Sequence, residues 1–120
     1  MIEIDYYENE HFDICTMQHF INAAKFYMTE LMPRVRNINI IIDVQKKLDD
    51  NAKGYCAQEA SREFTIELKV DLLHNMIITL AHEMVHVRQF IRKQEINEFE
   101  AYGLEKLLYD RFHKYNAEQR

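Results

Sequence analysis

The chain has few residues that break regular backbone structure. Its 120 residues include only two glycines and one proline, whereas 48% are hydrophobic. A disordered chain would be richer in glycine and proline and poorer in hydrophobic residues. The composition therefore excludes a disordered protein and predicts a single folded domain, residues 1–120, built mainly from long periodic elements.

Cysteine is equally scarce. Cys15 and Cys56 lie far apart, and neither belongs to a Cys-x-x-Cys pair that could begin a zinc ribbon or a redox site. We expect two reduced thiols, because nothing else in the sequence indicates an oxidising compartment.

Long runs of like charge and long apolar runs are also missing. The formal net charge is −5, from 20 acidic and 15 basic residues, and without a basic block we expect no nucleic-acid partner. The most apolar stretches, 38–44 and 76–87, are too short or too interrupted by His and Glu to span a bilayer, so no membrane partner is expected. The first residues carry acids where a secretory signal needs bases. A cytoplasmic location follows as the expectation.

Hydrophobic periodicity predicts an α+β fold. Alternation with a two-residue period predicts strands at 2–6, 35–44 and 64–70, and a short strand at 55–57. Recurrence at helical spacing predicts helices at 13–31, 71–92 and 97–115, with Asp71 as the cap of the second. We expect a small antiparallel sheet, and we expect the last two helices to pair antiparallel.

The candidate chemistry lies in a His-Glu-x-x-His motif on the second predicted helix. His82 and His86 are four residues apart, so both imidazoles project from one face and can bind one metal ion. Glu83 is displaced around the helix, where its carboxylate can reach a metal-bound water. The motif predicts a zinc site in which Glu83 is the general base: it accepts a proton from the water, and the hydroxide attacks a peptide carbonyl.

A third metal ligand must come from elsewhere, because a catalytic zinc normally has three protein ligands and one open position. Glu98 and Glu100 lie 12 and 14 residues beyond His86, and an antiparallel third helix would bring its first turn beside the metal. A spacing of two residues places these two acids on different helical faces. Only one of them should therefore face the metal, and spacing alone leaves open which.

Three further residues have candidate roles around this site. His74 lies two turns before His82 and could contact substrate, although a structural role is more common for such a residue. Tyr55 and Tyr102 could each donate a hydrogen bond to a developing oxyanion, although ring packing is the expected role for both.

The C-terminal half of the chain resembles the small SprT-like and phage-type gluzincin metallopeptidases. The resemblance depends on the motif run LAHEMVHVRQ at 80–89, on FTIEL at 64–68 before it and on EFEAYG at 98–103 after it. In such enzymes a Glu in a Glu-x-x-Ala arrangement on the helix after the motif is the third zinc ligand. This implies Glu98, which is followed by Ala101, rather than Glu100. The Asp that often follows that Ala is replaced here by Tyr102.

The resemblance also implies a fold and a substrate-binding surface. The fold is a minimal zincin-like one, with a small mixed sheet packed against three main helices and an antiparallel helix carrying the third ligand. An edge strand would receive an extended substrate by strand addition. The segment that matches this edge begins at Phe64 and ends at Val70.

The implied function is a zinc metalloendopeptidase acting on peptides or proteins, in the host cytoplasm if the chain is phage-encoded. The alternative is a metal-binding protein-interaction module with weak or no catalysis. The replacement at Tyr102 leaves that alternative open, because the Asp that it replaces supports a ligand histidine in related enzymes.

Overall fold

The structure, a computed structural model, describes residues 2–6 and 14–119. The predicted helix start at residue 13 lies outside these ranges. In chain order the elements are β1 (Ile2–Tyr6), α1 (Ile14–Leu31), β2 (Ile38–Gln45), β3 (Gly54–Ala60), β4 (Glu63–Lys69), α2 (Leu73–Ile91) and α3 (Glu98–Glu118), with a short 3₁₀ helix at Asp49–Asn51 before β3. The predicted α+β class with three main helices is confirmed.

The strands form one mixed sheet in the order β1-β2-β4-β3. β1 pairs with β2 in parallel, β2 pairs with β4 in parallel, and β3 pairs with β4 antiparallel. The antiparallel sheet expected from periodicity is therefore wrong for the two parallel pairings, whereas the mixed sheet implied by the resemblance is confirmed. Side chains alternate with the same two-residue period in both kinds of pairing, so periodicity does not distinguish them.

The segment from Phe64 to Val70 is not a free edge, so this prediction for the substrate strand is wrong. It forms β4, which lies between β2 and β3 and pairs with both of them. Phe64 is opposite Ile40 of β2 and Gln58 of β3. Val70 lies one residue beyond the end of β4, and its N–H donates to the Gln45 carbonyl at 2.8 Å. Alternation of hydrophobic and polar residues indicates that one face of a strand is buried. A strand inside a sheet can show it as clearly as an edge strand can.

The edge strand beside α2 is instead β3. The predicted short strand at 55–57 is longer, Gly54–Ala60, and only its Cys56 is buried. Because most of its side chains contact solvent, an edge strand of this kind shows little hydrophobic alternation in sequence.

α1 and α2 contact the sheet, whereas α3 packs against these two helices. The strands bury one face. In β2 the buried residues are Ile38, Ile40, Ile42 and Val44, as the two-residue period predicts. α2 contacts β3, β4, α1 and α3. Four apolar residues at helical spacing along α2 are buried: Ile77, Leu80, Met84 and Val87. These contacts fix the motif helix in the centre of the molecule.

α2 and α3 form the predicted antiparallel hairpin, since His86 meets the first residue of α3 and His82 meets a later one. Asn97 is the N-cap of α3, and its side chain accepts a hydrogen bond from the Glu100 backbone N–H at 3.0 Å. This cap places the first turn of α3 beside the motif.

The N-cap of α2 is Leu72 rather than the predicted Asp71. Asp71 still stabilises the start of α2, because its carboxylate accepts a hydrogen bond from Leu72 N–H at 2.7 Å.

Two further findings concern the chain as a whole. Cys15 is exposed and Cys56 is buried, and both are free thiols. Within residues 14–119, none of the helices combines the length and apolarity needed to cross a bilayer.

Candidate metal centre

His82 and His86 lie one turn apart on α2 and face the first two turns of α3. Their ring centroids are 4.9 Å apart, and the two residues are only 7% and 6% exposed. A buried imidazole needs a partner for each ring nitrogen, because an unpaired buried polar group destabilises the fold. The partners of each nitrogen therefore indicate what that nitrogen is placed to do.

Glu98, the first residue of α3, brings a carboxylate to both histidines. Its Oε1 lies 3.3 Å from His82 Nε2 and also contacts His86 Nε2. One ligand atom from each of the three residues lies within 4.8 Å of the others. Two atoms bound to zinc at about 2.1 Å with a tetrahedral angle lie about 3.4 Å apart, close to the His82–Glu98 separation. The three donors are thus placed where one metal ion could bind all of them.

Glu100, the other candidate ligand, is not in this cluster and contacts Gln89 and Arg88 instead. Its Oε1 accepts a hydrogen bond from Gln89 Nε2 at 3.0 Å and lies 3.5 Å from Arg88 Nη2. The hydrogen bond from Gln89 and the charge of Arg88 hold the pKa of Glu100 below its usual range. Of the two acids, Glu98 is the one in the cluster, as the resemblance implies.

Glu105 supports His82 from the second turn of α3. Its Oε1 lies 3.1 Å from His82 Nδ1. When Nδ1 carries the proton, His82 donates to Glu105 and presents the Nε2 lone pair to a metal. Glu105 belongs to no motif in the sequence. Its spacing of seven residues from Glu98, two turns along one helical face, is the signal that could have indicated it.

Tyr102 stands where the gluzincins that the sequence resembles often carry Asp. Its ring meets the His82 ring at a centroid distance of 4.6 Å and an angle of 66°. Glu105, one turn further along α3, supplies the carboxylate that His82 would otherwise lack. The replacement at Tyr102 therefore leaves His82 with an acidic partner, and the main sequence argument for an inactive module is weakened.

Gln89 supports His86 from the next turn of α2. Its Oε1 lies 2.8 Å from His86 Nδ1, so His86 can also carry its proton on Nδ1 and present Nε2 to a metal. Gln89, like Glu105, lies outside the His-Glu-x-x-His motif. It lies three residues after His86, at a spacing that makes two side chains neighbours on a helix.

Glu83 is 5% exposed and lies in the lining of a cleft beside the histidines. Burial, followed by the charges of Glu98 and Glu105, raises the pKa of Glu83 to about 8. Gly54 in β3 leaves the room that this side chain occupies, because a Cβ at Gly54 would lie 3.0 Å from Glu83 Oε2 and 2.6 Å from Thr79 Cγ2. A carboxyl group with a pKa near neutrality can both accept and donate a proton.

The cleft has a volume of about 720 Å³ and is lined by α2, the first half of α3, the start of β3 and the turn before it. Tyr55 and Tyr102 both line it and are 59% and 66% exposed. The expected ring packing is seen for Tyr102, which contacts the His82 ring, but neither tyrosine is buried. The surface that a substrate would contact therefore includes both rings.

His74, a possible substrate contact, and the predicted substrate segment 64–70 both lie outside the cleft. His74 is exposed but does not line it, which argues against a substrate contact. Phe64 and Val70, the ends of the segment predicted to receive substrate, do not line it either. Phe64 is 1% exposed and belongs to the core, so its burial in the sheet and not substrate binding explains its place in the alternating pattern.

Comparisons with known proteins give no match: no family model, no curated protein and no solved structure is similar to the chain. The resemblance to SprT-like gluzincins therefore stays a prediction. The interpretation of the site depends on the motif and on the geometry around it.

Proposed function

We propose that this chain is a zinc-dependent metallopeptidase that hydrolyses peptide bonds in extended peptides or protein segments. The observation that supports this most directly is the cluster of His82, His86 and Glu98 beside the buried Glu83, in the lining of an open cleft. Three metal donors, an adjacent acid–base group and access for a substrate are the parts that metal-assisted hydrolysis requires.

The donor set fits zinc. His82 and His86 would bind through Nε2 and Glu98 through a carboxylate oxygen, and two imidazoles favour zinc over magnesium or calcium, which prefer oxygen ligands. Three protein ligands leave one position of a tetrahedral ion for water or substrate. When bound, zinc would supply a Lewis acid that lowers the pKa of a water and polarises a carbonyl oxygen.

Glu83 would be the acid–base residue. Its carboxylate would accept a proton from the attacking water and return it to the amine of the departing peptide. In the metal-free protein, burial and the charges of Glu98 and Glu105 raise the pKa of Glu83. Zinc bound beside it would favour the carboxylate, which is the form that accepts a proton from water. The burial of Glu83 also keeps bulk water from competing for the proton.

The edge strand β3 would bind the substrate. Gly54, Tyr55 and Cys56 line the cleft, and β3 pairs with β4 along one side only. An extended peptide could therefore add to the free side by main-chain hydrogen bonds, with selectivity from the side chains that line the cleft. Binding of this kind selects unfolded or flexible segments over folded domains.

We further propose that the fold is a minimal zincin-like one. The arrangement of the secondary-structure elements supports this proposal. A mixed sheet has an edge strand by the cleft, the motif helix packs on that sheet, and an antiparallel helix begins with the proposed third ligand. The alternative function is a metal-binding interaction module that uses the same cleft to hold a peptide without cleaving it.

Replacing Glu83 by Gln separates the two functions. The Glu83→Gln protein should retain zinc and lose at least about 100-fold in the rate of hydrolysis of a mixed library of unstructured peptides, since general acid–base catalysis contributes that much. Glu118→Gln, an exposed change at the far end of α3, is the matched control and should cleave at the parent rate. Cleavage by Glu83→Gln at the parent rate would contradict the assignment, and a zinc-loaded parent that binds but never cleaves peptides would favour the interaction module.

A further inference from the structure

Gln89 is a buried polar residue whose hydrogen-bonding capacity is fully used. It is 1% exposed. Its Oε1 accepts from the Asn97 backbone N–H at 3.1 Å and lies 2.8 Å from His86 Nδ1. Its Nε2 donates to the Asn97 carbonyl at 3.0 Å and to Glu100 Oε1 at 3.0 Å. A side-chain amide offers two acceptor sites and two N–H donors, and all four are occupied here.

These bonds connect the two helices that carry the metal donors. One partner, His86, is on α2. The others, Asn97 and Glu100, belong to the N-cap and first turn of α3, on either side of Glu98. The two bonds to the Asn97 backbone N–H and carbonyl fix where α3 begins, and the bond to His86 fixes the orientation of the ring. One side chain therefore determines the relation between two of the three donors.

We infer that Gln89 is a positioning residue that assembles the metal site before any metal binds. It holds His86 with a proton on Nδ1, and it holds the start of α3 so that Glu98 meets His86 Nε2. The consequence for zinc rests on the proposed function, whereas the tautomer and the anchoring of α3 do not. Groups that orient metal ligands in this way typically change metal affinity by about 10- to 100-fold when they are removed.

Only an amide satisfies every partner at this position. A Glu would have no N–H for the Asn97 carbonyl and would place a second negative charge against Glu100. A Met of similar size would fill the space but would leave the Asn97 N–H, the Asn97 carbonyl and His86 Nδ1 without this partner. Gln89→Glu therefore removes the N–H donors alone, whereas Gln89→Met removes the whole set of bonds.

Nuclear magnetic resonance of the metal-free parent tests the inference without zinc. The His86 ring nitrogens should report a proton on Nδ1. The Asn97 N–H should exchange slowly with solvent, although an N-cap N–H has no partner within its own helix. In Gln89→Met this N–H should exchange at least about 10-fold faster, because its acceptor is gone. A parent in which His86 carries its proton on Nε2, or in which Asn97 exchanges freely, would overturn the inference whatever the variants do.

Zinc affinity tests the consequence for the site. The dissociation constant, measured by competition with a chromogenic chelator, should rise about 10- to 100-fold in Gln89→Met and in Gln89→Glu. Gln94→Met, an exposed change in the connection between α2 and α3, is the matched control and should bind as the parent does. Equal affinity of Gln89→Met and the parent would overturn the positioning role. A parent that binds no zinc would instead refute the peptidase proposal, and the metal-free measurements would still decide the role of Gln89.

Discussion

His82 and His86 are each held at Nδ1, by Glu105 and by Gln89, so that both Nε2 atoms face Glu98. Such partners matter because they fix the orientation and the tautomer of a metal-binding imidazole before the metal arrives. The charged partner, Glu105, also makes the imidazole a stronger donor. The contribution of Glu105 to zinc affinity can be measured separately from that of His82, His86 and Glu98.

Glu105→Ala should weaken zinc binding by about 10- to 100-fold while leaving the fold intact, since Glu105 contacts the metal only through His82. Competition with a chelator measures the affinity, and circular dichroism checks the fold. Glu118→Ala, on the same helix and far from the histidines, serves as the control. An unchanged zinc affinity in Glu105→Ala would show that His82 needs no partner at Nδ1.

Glu83 makes the stability of the metal-free protein depend on pH. Its pKa is about 8 in the folded chain against an ordinary 4.5, so the folded state binds this proton more tightly than the unfolded state does. The contribution of Glu83 to stability is therefore most favourable below its unfolded pKa and is lost as the pH rises toward its folded pKa. Above that range the charged carboxylate opposes folding.

Glu83→Gln should therefore stabilise the metal-free protein at pH 8 by on the order of 2 to 4 kcal/mol, because a neutral amide carries no buried charge. Most of the difference should disappear at about pH 5, where the parent carboxyl is protonated in the folded state. Urea denaturation of chelator-treated protein at both pH values measures it. If the difference in free energy of unfolding between Glu83→Gln and the parent did not change with pH, the pKa of Glu83 would not be raised in the folded protein.

Gly54→Ala should reduce peptide hydrolysis by at least about 10-fold without loss of zinc. The new Cβ would lie 2.6 Å from Thr79 Cγ2 and 3.0 Å from Glu83 Oε2, so Glu83 must move, and small displacements of an acid–base group cost much of the rate. The control is Gly103→Ala, where nothing lies within 4 Å of the new Cβ; it should leave activity unchanged and stabilise α3 by about 0.5–1 kcal/mol. Full activity in Gly54→Ala would argue against Glu83 as the acid–base group.

At the residue scale the sequence predicts the motif and its third ligand but not the residues that support them. His82, Glu83 and His86 follow from helical spacing, and Glu98 from the resemblance. Glu105 and Gln89 belong to no motif, and their roles depend on how closely α3 returns along α2. That distance is a property of tertiary packing, which the periodicity of either helix does not specify.

At the element scale the periodic segments are predicted well and the strand at the edge is not. β2 and α2 each bury one face. Burial of one face produces hydrophobic alternation in a strand and hydrophobic residues at helical spacing in a helix. The clear alternation from Phe64 to Val70 belongs to β4 inside the sheet. β3 buries little of its surface, so its length and its place outside β4 could not be read from alternation. Because β3 lines the cleft, the main error in the predicted fold concerns the surface that substrate would contact.

β3 also supports a prediction about substrate. If an extended peptide pairs with its free side, N-methylation of individual peptide N–H groups near the cleaved bond should lower kcat/KM by at least about 10-fold at every second residue, because alternate residues of a paired strand bond to the same neighbour. A series of singly methylated peptides measures the pattern. The intervening peptide residues are the matched controls, since their N–H groups face away from β3. Equal effects at successive residues would contradict binding by strand addition.

At the scale of the whole molecule, the candidate site exists only because the α2–α3 hairpin closes tightly. Two donors lie on α2 and the third begins α3, with residues 92–97 between them. Lys93 takes a left-handed conformation at φ 56°, and the Gln94 N–H bonds back to the Gln89 carbonyl at 2.9 Å. Sequence analysis could predict that the helices return antiparallel, but this local turn decides that Glu98 reaches the histidines.

The central claim is that His82, His86 and Glu98 together bind zinc, and metal analysis of the purified protein tests it most directly. Prepared with added zinc and then freed of excess metal, the parent should retain about one zinc per chain, as a site with three protein ligands would. His86→Ala should retain almost none, and His113→Ala, an exposed change on α3, should match the parent. A parent that retains no zinc, or a His86→Ala protein that retains as much as the parent, would contradict the account.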